Sequence, residues 1–247
     1  MKKTALCGPA ALLALWFACT HFHLANALLL PTPAAAFRRL WELVSTGELN
    51  VDARATAFRW TAGYLLGCAA GIPVGMLMGA SRAIYAGLEF MVDFLRSLPV
   101  TALFPLFLLV FGIGDGSKIA MVFASCVFVV LLNSAYGVIH ASKGRIRAAR
   151  TMGANRWQVF WWVTFYEALP HTLVGMRTAL SLSLIVVVVS EMFIGTQYGL
   201  GQRVFDAYAR NSIAELYALI ILIGVVGYAL NKLFVTAERH IVFWAGK

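Results

Sequence analysis

The chain has 247 residues, of which 61% are hydrophobic and 13% charged, with a formal net charge of +9 and a mean hydropathy of +0.79. A soluble domain carries about a quarter charged residues, so too few polar side chains exist here to cover a water-facing surface. Disordered, collagen-like and disulfide-scaffold chains are excluded with it, and the composition points to an all-α integral membrane protein. The cations sit in short segments between apolar runs, where bilayer orientation explains them better than nucleic acid does. No basic stripe interleaved with aromatics is visible. Cys7, Cys19, Cys68 and Cys126 all lie inside apolar runs without a C-x-x-C spacing, which reads as packing rather than metal or disulfide chemistry.

The first apolar run, about 5–30, follows Lys2 and Lys3. Ala25-Asn26-Ala27 would serve as a small-x-small cleavage site, but the run is longer than a signal core and includes Trp16 and Phe17, so a retained span is the preferred reading. His21 and His23 near its far end read as interfacial. Residues 31–56 hold Pro31, Pro33 and mixed charges, with Phe37, Leu40, Trp41 and Val44 at helical spacing. This predicts an amphipathic helix on the membrane surface. A second span is expected over 58–80, where Gly63, Gly67, Gly71, Gly75 and Gly79 recur every fourth residue. Such a stripe lets a neighbouring backbone approach closely. Static packing and sliding against a partner helix are both compatible with it.

Arg82, Glu89, Asp93 and Arg96 predict an interfacial helix or a cytoplasmic extension over 81–96. The apolar run 98–113 is short for a crossing and is interrupted by Pro99 and Pro105, which suggests a kinked or partly re-entrant helix. A tight turn at 112–117 leads into a span over 118–139. Further spans are expected over 171–195 and 213–235, separated by a glycine-rich polar loop with Gly195, Gly199, Gly201, Arg203, Asp206 and Arg210. The total is about six transmembrane helices.

Residues 141–166 break the pattern, with Lys143, Arg145, Arg147, Arg150 and Arg156 and no acid before Glu167. Gly153 is placed to adopt a left-handed helix end. Asn155 is a good N-cap for a second short helix through Trp157, Phe160 and Trp161, and Pro170 marks entry to the next span. The segment reads either as a rigid helix–turn–helix knob or as a basic loop that fixes orientation. With this loop inside, Lys2, Lys3, Arg82, Arg96, Lys143, Arg145, Arg147, Arg150, Arg156, Arg177, Lys232, Arg239 and Lys247 lie inside. Arg38, Arg39, Arg54, Arg59, Lys118, Arg203 and Arg210 lie outside. The majority inside is the preferred topology, and the four arginines at 38–59 fit it least well.

The stretch Arg147-Ala148-Ala149-x-x-x-Gly153 followed by Leu169-Pro170 resembles the cytoplasmic coupling motif of permease subunits of bacterial ATP-binding-cassette importers. Gly175-Met176-Arg177-Thr178-Ala179-Leu180, Ser190-Glu191-Met192, Gly199-Leu200-Gly201 and the run from Leu98-Pro99 through Pro105-Leu106 to Phe111-Gly112-Ile113-Gly114 are similar to the nitrate/sulfonate/taurine-type permeases. The likeness covers about 60–245. Arg147 stands where that family usually has Glu, and Tyr166 where a proline often occurs.

The resemblance implies a type I importer bundle in the bacterial inner membrane. It divides the chain into 1–56, a first span with an amphipathic periplasmic segment, and 57–247, a permease core. It implies two permease copies, a cytoplasmic ATPase docked on Arg147, Ala148, Ala149, Arg150, Thr151, Met152, Gly153, Ala154, Asn155 and Arg156, and a solute-binding protein outside. ATP and Mg belong to the ATPase, since this chain has no G-x-x-x-x-G-K-[ST] loop, and the chain itself is a transport subunit rather than an enzyme. Pathway or gate candidates are Arg96, Pro99, Pro105, Asn133, Ser134, Ser181 and Glu191. Glu191 either lines the pathway or pairs with Arg203 or Arg210 at the outer face, because a charge within a span needs water or a partner. A stand-alone secondary transporter or channel is the alternative, but no intramembrane acid–base relay or inverted repeat supports it.

Overall fold

A computed structural model describes residues 7–22, 24, 26 and 29–244. Lys2, Lys3, His23, Ala25, Ala27 and Lys247 lie outside the described residues. Among the described residues every regular element is helical. The chain begins with α1 (Cys7–His21), apolar but only 15 residues long. α2 (Pro33–Ser45) starts where the Thr32 hydroxyl accepts from the Ala35 N–H, with Pro33 in the first turn, a position that needs no donor. Then come α3 (Asn50–Ala80), α4 (Arg82–Ser97), a 3₁₀ turn (Val100–Leu103), α5 (Phe104–Phe111) and α6 (Asp115–Ile139). α7 (Lys143–Thr151) and α8 (Arg156–Val159) follow. A π-helical turn (Phe160–Thr164) joins α8 to α9 (Phe165–Ile194), and α10 (Leu200–Ala209) and α11 (Ile213–Ile241) complete the chain.

Among the described residues, four helices are long and apolar enough to cross a bilayer: α3, α6, the continuous Arg156–Ile194 helix and α11. A fifth crossing is reached if the pair Arg82–Ser97 and Val100–Phe111 counts as one broken span. That pair bends by 84°, the interruption that Pro99 and Pro105 foretell. Several expectations need correction. The second span starts at Asn50, not at 58, because Asp52, Thr56 and Arg59 turn one helical face inward and are buried. The position 56/57 therefore falls inside a helix. The loop expected between the last two spans contains α10, whose Leu200, Val204 and Ala207 are buried at spacings of four and three. Pro170 lies inside α9 instead of opening it.

α6 is sandwiched between α3 and α9, and small residues set both distances. A Cβ added to Gly63 would stand 2.5 Å from the Val122 Cβ, and one on Gly67 2.5 Å from the Cys126 Cβ. On Gly71 it would meet the Val127 carbonyl oxygen at 2.7 Å and on Gly79 that of Ala135 at 2.6 Å, while on Gly75 it would run into the backbone of Leu131. On the opposite side of α6, Gly137 abuts Ala168, and Asn133 abuts Gly175. Since lipid supplies no hydrophobic drive between helices, this close van der Waals fit is what joins them. The core enclosed is Tyr64, Cys68, Val122, Cys126, Val130, Ala179, Leu180 and Val187.

α2 is held by a second cluster, in which Leu43 and Leu49 pack with Val204, Ala207, Ala218 and Leu219. Of the four residues that predicted its apolar face, only Leu40 joins that cluster, whereas Phe37, Trp41 and Val44 are exposed. α11 is peripheral: only 17% of its apolar window is buried, against 44–50% for the other three long helices.

Candidate functional site

The 141–166 segment forms a stiff elbow. The Ser142 hydroxyl caps α7 by accepting from the Arg145 N–H. The helix ends with Gly153 N–H donating to the Arg150 carbonyl (3.0 Å) and Ala154 N–H to the Ala149 carbonyl (3.1 Å). This double closure requires a left-handed residue, and Gly153 has φ +85°. Two residues on, the Asn155 side chain accepts from the Gln158 N–H while the Gln158 side chain accepts from the Asn155 N–H, each at 2.9 Å. The backbone N–H groups of Met152, Gly153, Ala154, Asn155 and Gln158 thus all have partners, which restrains the bend.

The elbow is tied to the bundle by Arg145, whose guanidinium pairs with both carboxylate oxygens of Glu167 on α9. Trp157, Phe160, Trp161 and Phe165 form a chain of edge-on and tilted ring contacts, with centroids 5.4–5.6 Å apart. Ala149 and Val159 face inward, whereas Met152 is 81% and Trp157 70% exposed. Arg147, Ala148, Arg150, Thr151, Asn155 and Arg156 are also exposed, so the elbow presents a basic, partly apolar tip. Arg150 and Arg156 line a cavity of about 460 Å³ between the elbow and the inner ends of α3 and α6. Among the described residues the Arg147 side chain has no ion-pair partner, so its charge is available to another molecule.

At the opposite end of the bundle, charge is buried instead of displayed. Glu191 is 0% exposed and Arg59 5%. Arg59 Nη1 donates to Glu191 Oε1 at 2.6 Å and to the Tyr198 carbonyl at 2.8 Å, Nη2 donates to Thr196 Oγ1 at 3.0 Å, and Nε donates to Asp115 Oδ1 at 2.6 Å. Glu191 also accepts from the Thr56 hydroxyl (2.8 Å) and the Gly201 N–H (2.9 Å). Asp52 accepts from the Gly199 N–H, and the Lys118 ammonium donates to the carbonyls of Gly114 and Gly195. The outer ends of α3, α6, α9 and α10 are thereby clamped together, along with the 195–199 turn.

Glu191 is therefore partnered by Arg59 and not by Arg203 or Arg210. Those two arginines pair with Glu215, and Arg203 also with Glu48. Arg39 joins the same surface cluster through Glu215, Glu42 and Glu48, and the hydrogen bond with Glu215 holds its guanidinium above the ordinary range. Arg38 pairs with Glu42 at 3.3 Å. Of the four arginines at 38–59, three are thus matched by carboxylates. Sequence reasoning missed Asp52, Thr56, Arg59, Asp115 and Lys118 as one constellation. Its signal was present in the spacing 52, 56, 59, which puts three polar side chains on one face of an otherwise apolar helix.

The other pathway candidates do not converge. Arg96 is exposed and bonds Asp93 at 2.8 Å on its own helix. Pro99 precedes the 3₁₀ turn and Pro105 sits in the first turn of α5. Asn133 donates to the Val129 carbonyl, and the Ser134 hydroxyl is buried without a partner. Ser181 opens onto a groove between α9 and α11. A cavity of about 260 Å³, lined by Thr101, Phe104, Met121, Val189, Ser190 and Phe193, lies where the broken span meets α6 and α9.

Comparison with known proteins decides what this bundle is. Residues 71–244 match the family model described as "Binding-protein-dependent transport system inner membrane component". The chain belongs to that family. It is 32% identical to a "Probable ABC transporter permease protein" of Brucella melitensis over 89% of each chain. It is 29% identical to the taurine transport system permease of Escherichia coli over 96% of this chain and 88% of that one. The nitrate import permease of a Synechocystis strain is 25% identical over 86% of this chain and 80% of its own. Among solved structures, the inward-facing MetNI methionine ABC transporter superposes with a TM-score of 0.64 at 21% identity, covering 79% of this chain and 95% of that one. That likeness establishes the shared fold. The protein is an ABC importer permease subunit, a transport component and not an enzyme, built as an all-α membrane bundle.

Proposed function

We propose that this permease carries a small anionic solute of the sulfonate, taurine or nitrate kind into the cell. Two copies would form the pathway, and a separate cytoplasmic ATPase would drive it by gripping the Arg147–Arg156 elbow. A solute-binding protein would deliver the solute at the outer face. The observation that carries this reading is the doubly closed, doubly capped bend at Gly153–Gln158. A flexible loop would absorb an applied displacement, whereas a bend closed by these hydrogen bonds transmits it to α6 and α9. The solute class is supported by the names of the taurine and nitrate relatives. The basic balance adds nothing independent, because membrane orientation already accounts for it.

The test is co-expression of the permease with the ATPase and binding protein of its own system, followed by affinity capture and uptake in proteoliposomes. The reading predicts capture of the ATPase and uptake of radiolabelled taurine, an alkanesulfonate or nitrate only when ATP is supplied. Uptake that runs on an ion gradient without ATP would refute it and favour a stand-alone transporter.

A further inference from the structure

α11 is the least buried long helix, and between it and α9 runs a groove of about 590 Å³. Its walls are apolar, with Leu184, Ile185, Val188, Ile220 and Ile223 among them, and Gly224 forms an open part of the wall. A Cβ on Gly224 would meet nothing within 4 Å. The groove follows α9 from Ser181 to Met192, a rise of about 16 Å. One leaflet of a bilayer core is about 15 Å deep, so the groove is as long as one acyl chain.

At the cytoplasmic end the chemistry changes. Asn231 closes the groove and accepts a 2.9 Å hydrogen bond from Arg177 Nε. Arg177 in turn lines a second cavity of about 250 Å³, shared with Arg239, Glu238 and Pro170. The Arg177–Asn231 pair stands between the two spaces. Among the described residues, the terminal guanidinium nitrogens of Arg177 and the side chains of Arg239 and Glu238 have no hydrogen-bond or ion-pair partner. Two arginines against one carboxylate leave the cavity net positive. Basic pockets between helices on the cytoplasmic side suit anionic headgroups, and guanidinium is well matched to phosphate.

We infer that the α9–α11 groove and the arginine-lined cavity at its cytoplasmic end together form a binding site for one anionic phospholipid of the inner leaflet. One acyl chain lies in the groove and the headgroup phosphate lies between Arg177 and Arg239. Glu238 disfavours a second phosphate. From the proposed function the inference takes only the orientation of the chain, and lipid retention is read without ATPase or solute, so either can fail alone.

The test is native mass spectrometry of the full-length permease released from detergent in the presence of phosphatidylglycerol or phosphatidylcholine with identical acyl chains. Retention of phosphatidylglycerol should exceed that of phosphatidylcholine by about thirtyfold, on the scale of two basic side chains at an anionic lipid surface. R177Q/R239Q should abolish that preference, and Gly224→Trp, which fills open space, should lower retention of both lipids. Equal retention of the two lipids by the parent chain would overturn the site. So would a preference that survives R177Q/R239Q, or displacement of phosphatidylglycerol by millimolar inorganic phosphate, which would mark a free-anion site. If Gly224→Trp instead splits a permease dimer and leaves lipid retention unchanged, a second copy occupies the groove and the inference fails. Thermal melting of each variant checks folding, and Gly224→Trp decides alone where the arginine variant does not fold.

Discussion

Replacing Glu191 by Ala should be among the most damaging single changes outside the elbow, and the structure indicates by how much. The side chain is completely buried and accepts from Arg59, Thr56 and the Gly201 N–H. Its loss leaves the 5%-exposed Arg59 with Asp115 as its remaining acid, and Asp115 is half in solvent. Breaking a buried pair from one side costs about 3–5 kcal/mol. Asp115, Thr196 and the Tyr198 carbonyl still hold the guanidinium, so the pair contributes near the low end, about 3 kcal/mol. The orphaned Gly201 N–H adds about 1–2 kcal/mol. Removing both partners as R59M/E191M should cost less than E191A alone, because no uncompensated charge stays buried. The assay is unfolding of purified permease in mixed micelles, comparing parent, both single variants and the pair. An E191A variant within about 1 kcal/mol of the parent, or a double variant whose cost equals the sum of the singles, would refute the reasoning.

Gly153→Val should weaken ATPase capture while leaving membrane insertion intact. A side chain there meets nothing within 4 Å, so the penalty is purely the left-handed backbone, about 1–2 kcal/mol. Gly153→Asn should be nearly silent, and equal capture by both variants would contradict the account of the bend. In the glycine stripe, Gly67→Ala should destabilise by about 1–3 kcal/mol through overpacking on Cys126, whereas Gly224→Ala, in open space, should stabilise by up to about 1 kcal/mol. Thermal inactivation of the two variants side by side checks the opposed signs. Arg147→Glu should leave the melting temperature unchanged, since Arg147 has no internal ion pair, and should change the salt dependence of ATPase capture. A shifted melting temperature with unaltered capture would place Arg147 in the fold instead of at the contact.

The features that read well from the sequence were those with local causes. A left-handed glycine after α7, an Asn cap two residues later, and small residues every fourth position in α3 are each dictated within a few residues, and each is found in the fold. The expected break at Pro99 and Pro105 is likewise present as the 84° bend. What escaped was set by long-range partners. Glu191 can be seen to need a partner, but Arg59, 132 residues away, counts in the sequence only as an outside cation at the start of the span over 58–80, and Asp52 and Arg54 before it look solvated. Once Asp52 and Arg59 are paired across helices, the same stretch becomes an ordinary extension of the span. Hiding α10 within a presumed loop was the same error: Leu200, Val204 and Ala207 count as an apolar face only when α2 and α11 are there to cover it.

The placement of charge follows from the same economy. A chain with so few charged residues uses some of them to close its outer end, where Arg59, Glu191 and Lys118 replace water with fixed partners. At the inner end Arg147, Arg150 and Arg156 are left displayed. Between the two ends, α6 is held to α3 and α9 by glycine contacts that leave no slack, so the three helices respond as one body to a push on the elbow. The elements outside that body, the broken α4–α5 pair and α11, are bound less closely. Disulfides between cysteines placed in α3 and α6 should therefore leave transport unimpaired, whereas disulfides tying α5 to α9 should arrest it. Arrest by the α3–α6 crosslink would show that sliding along the glycine stripe, and not rigid motion of the trio, carries the stroke.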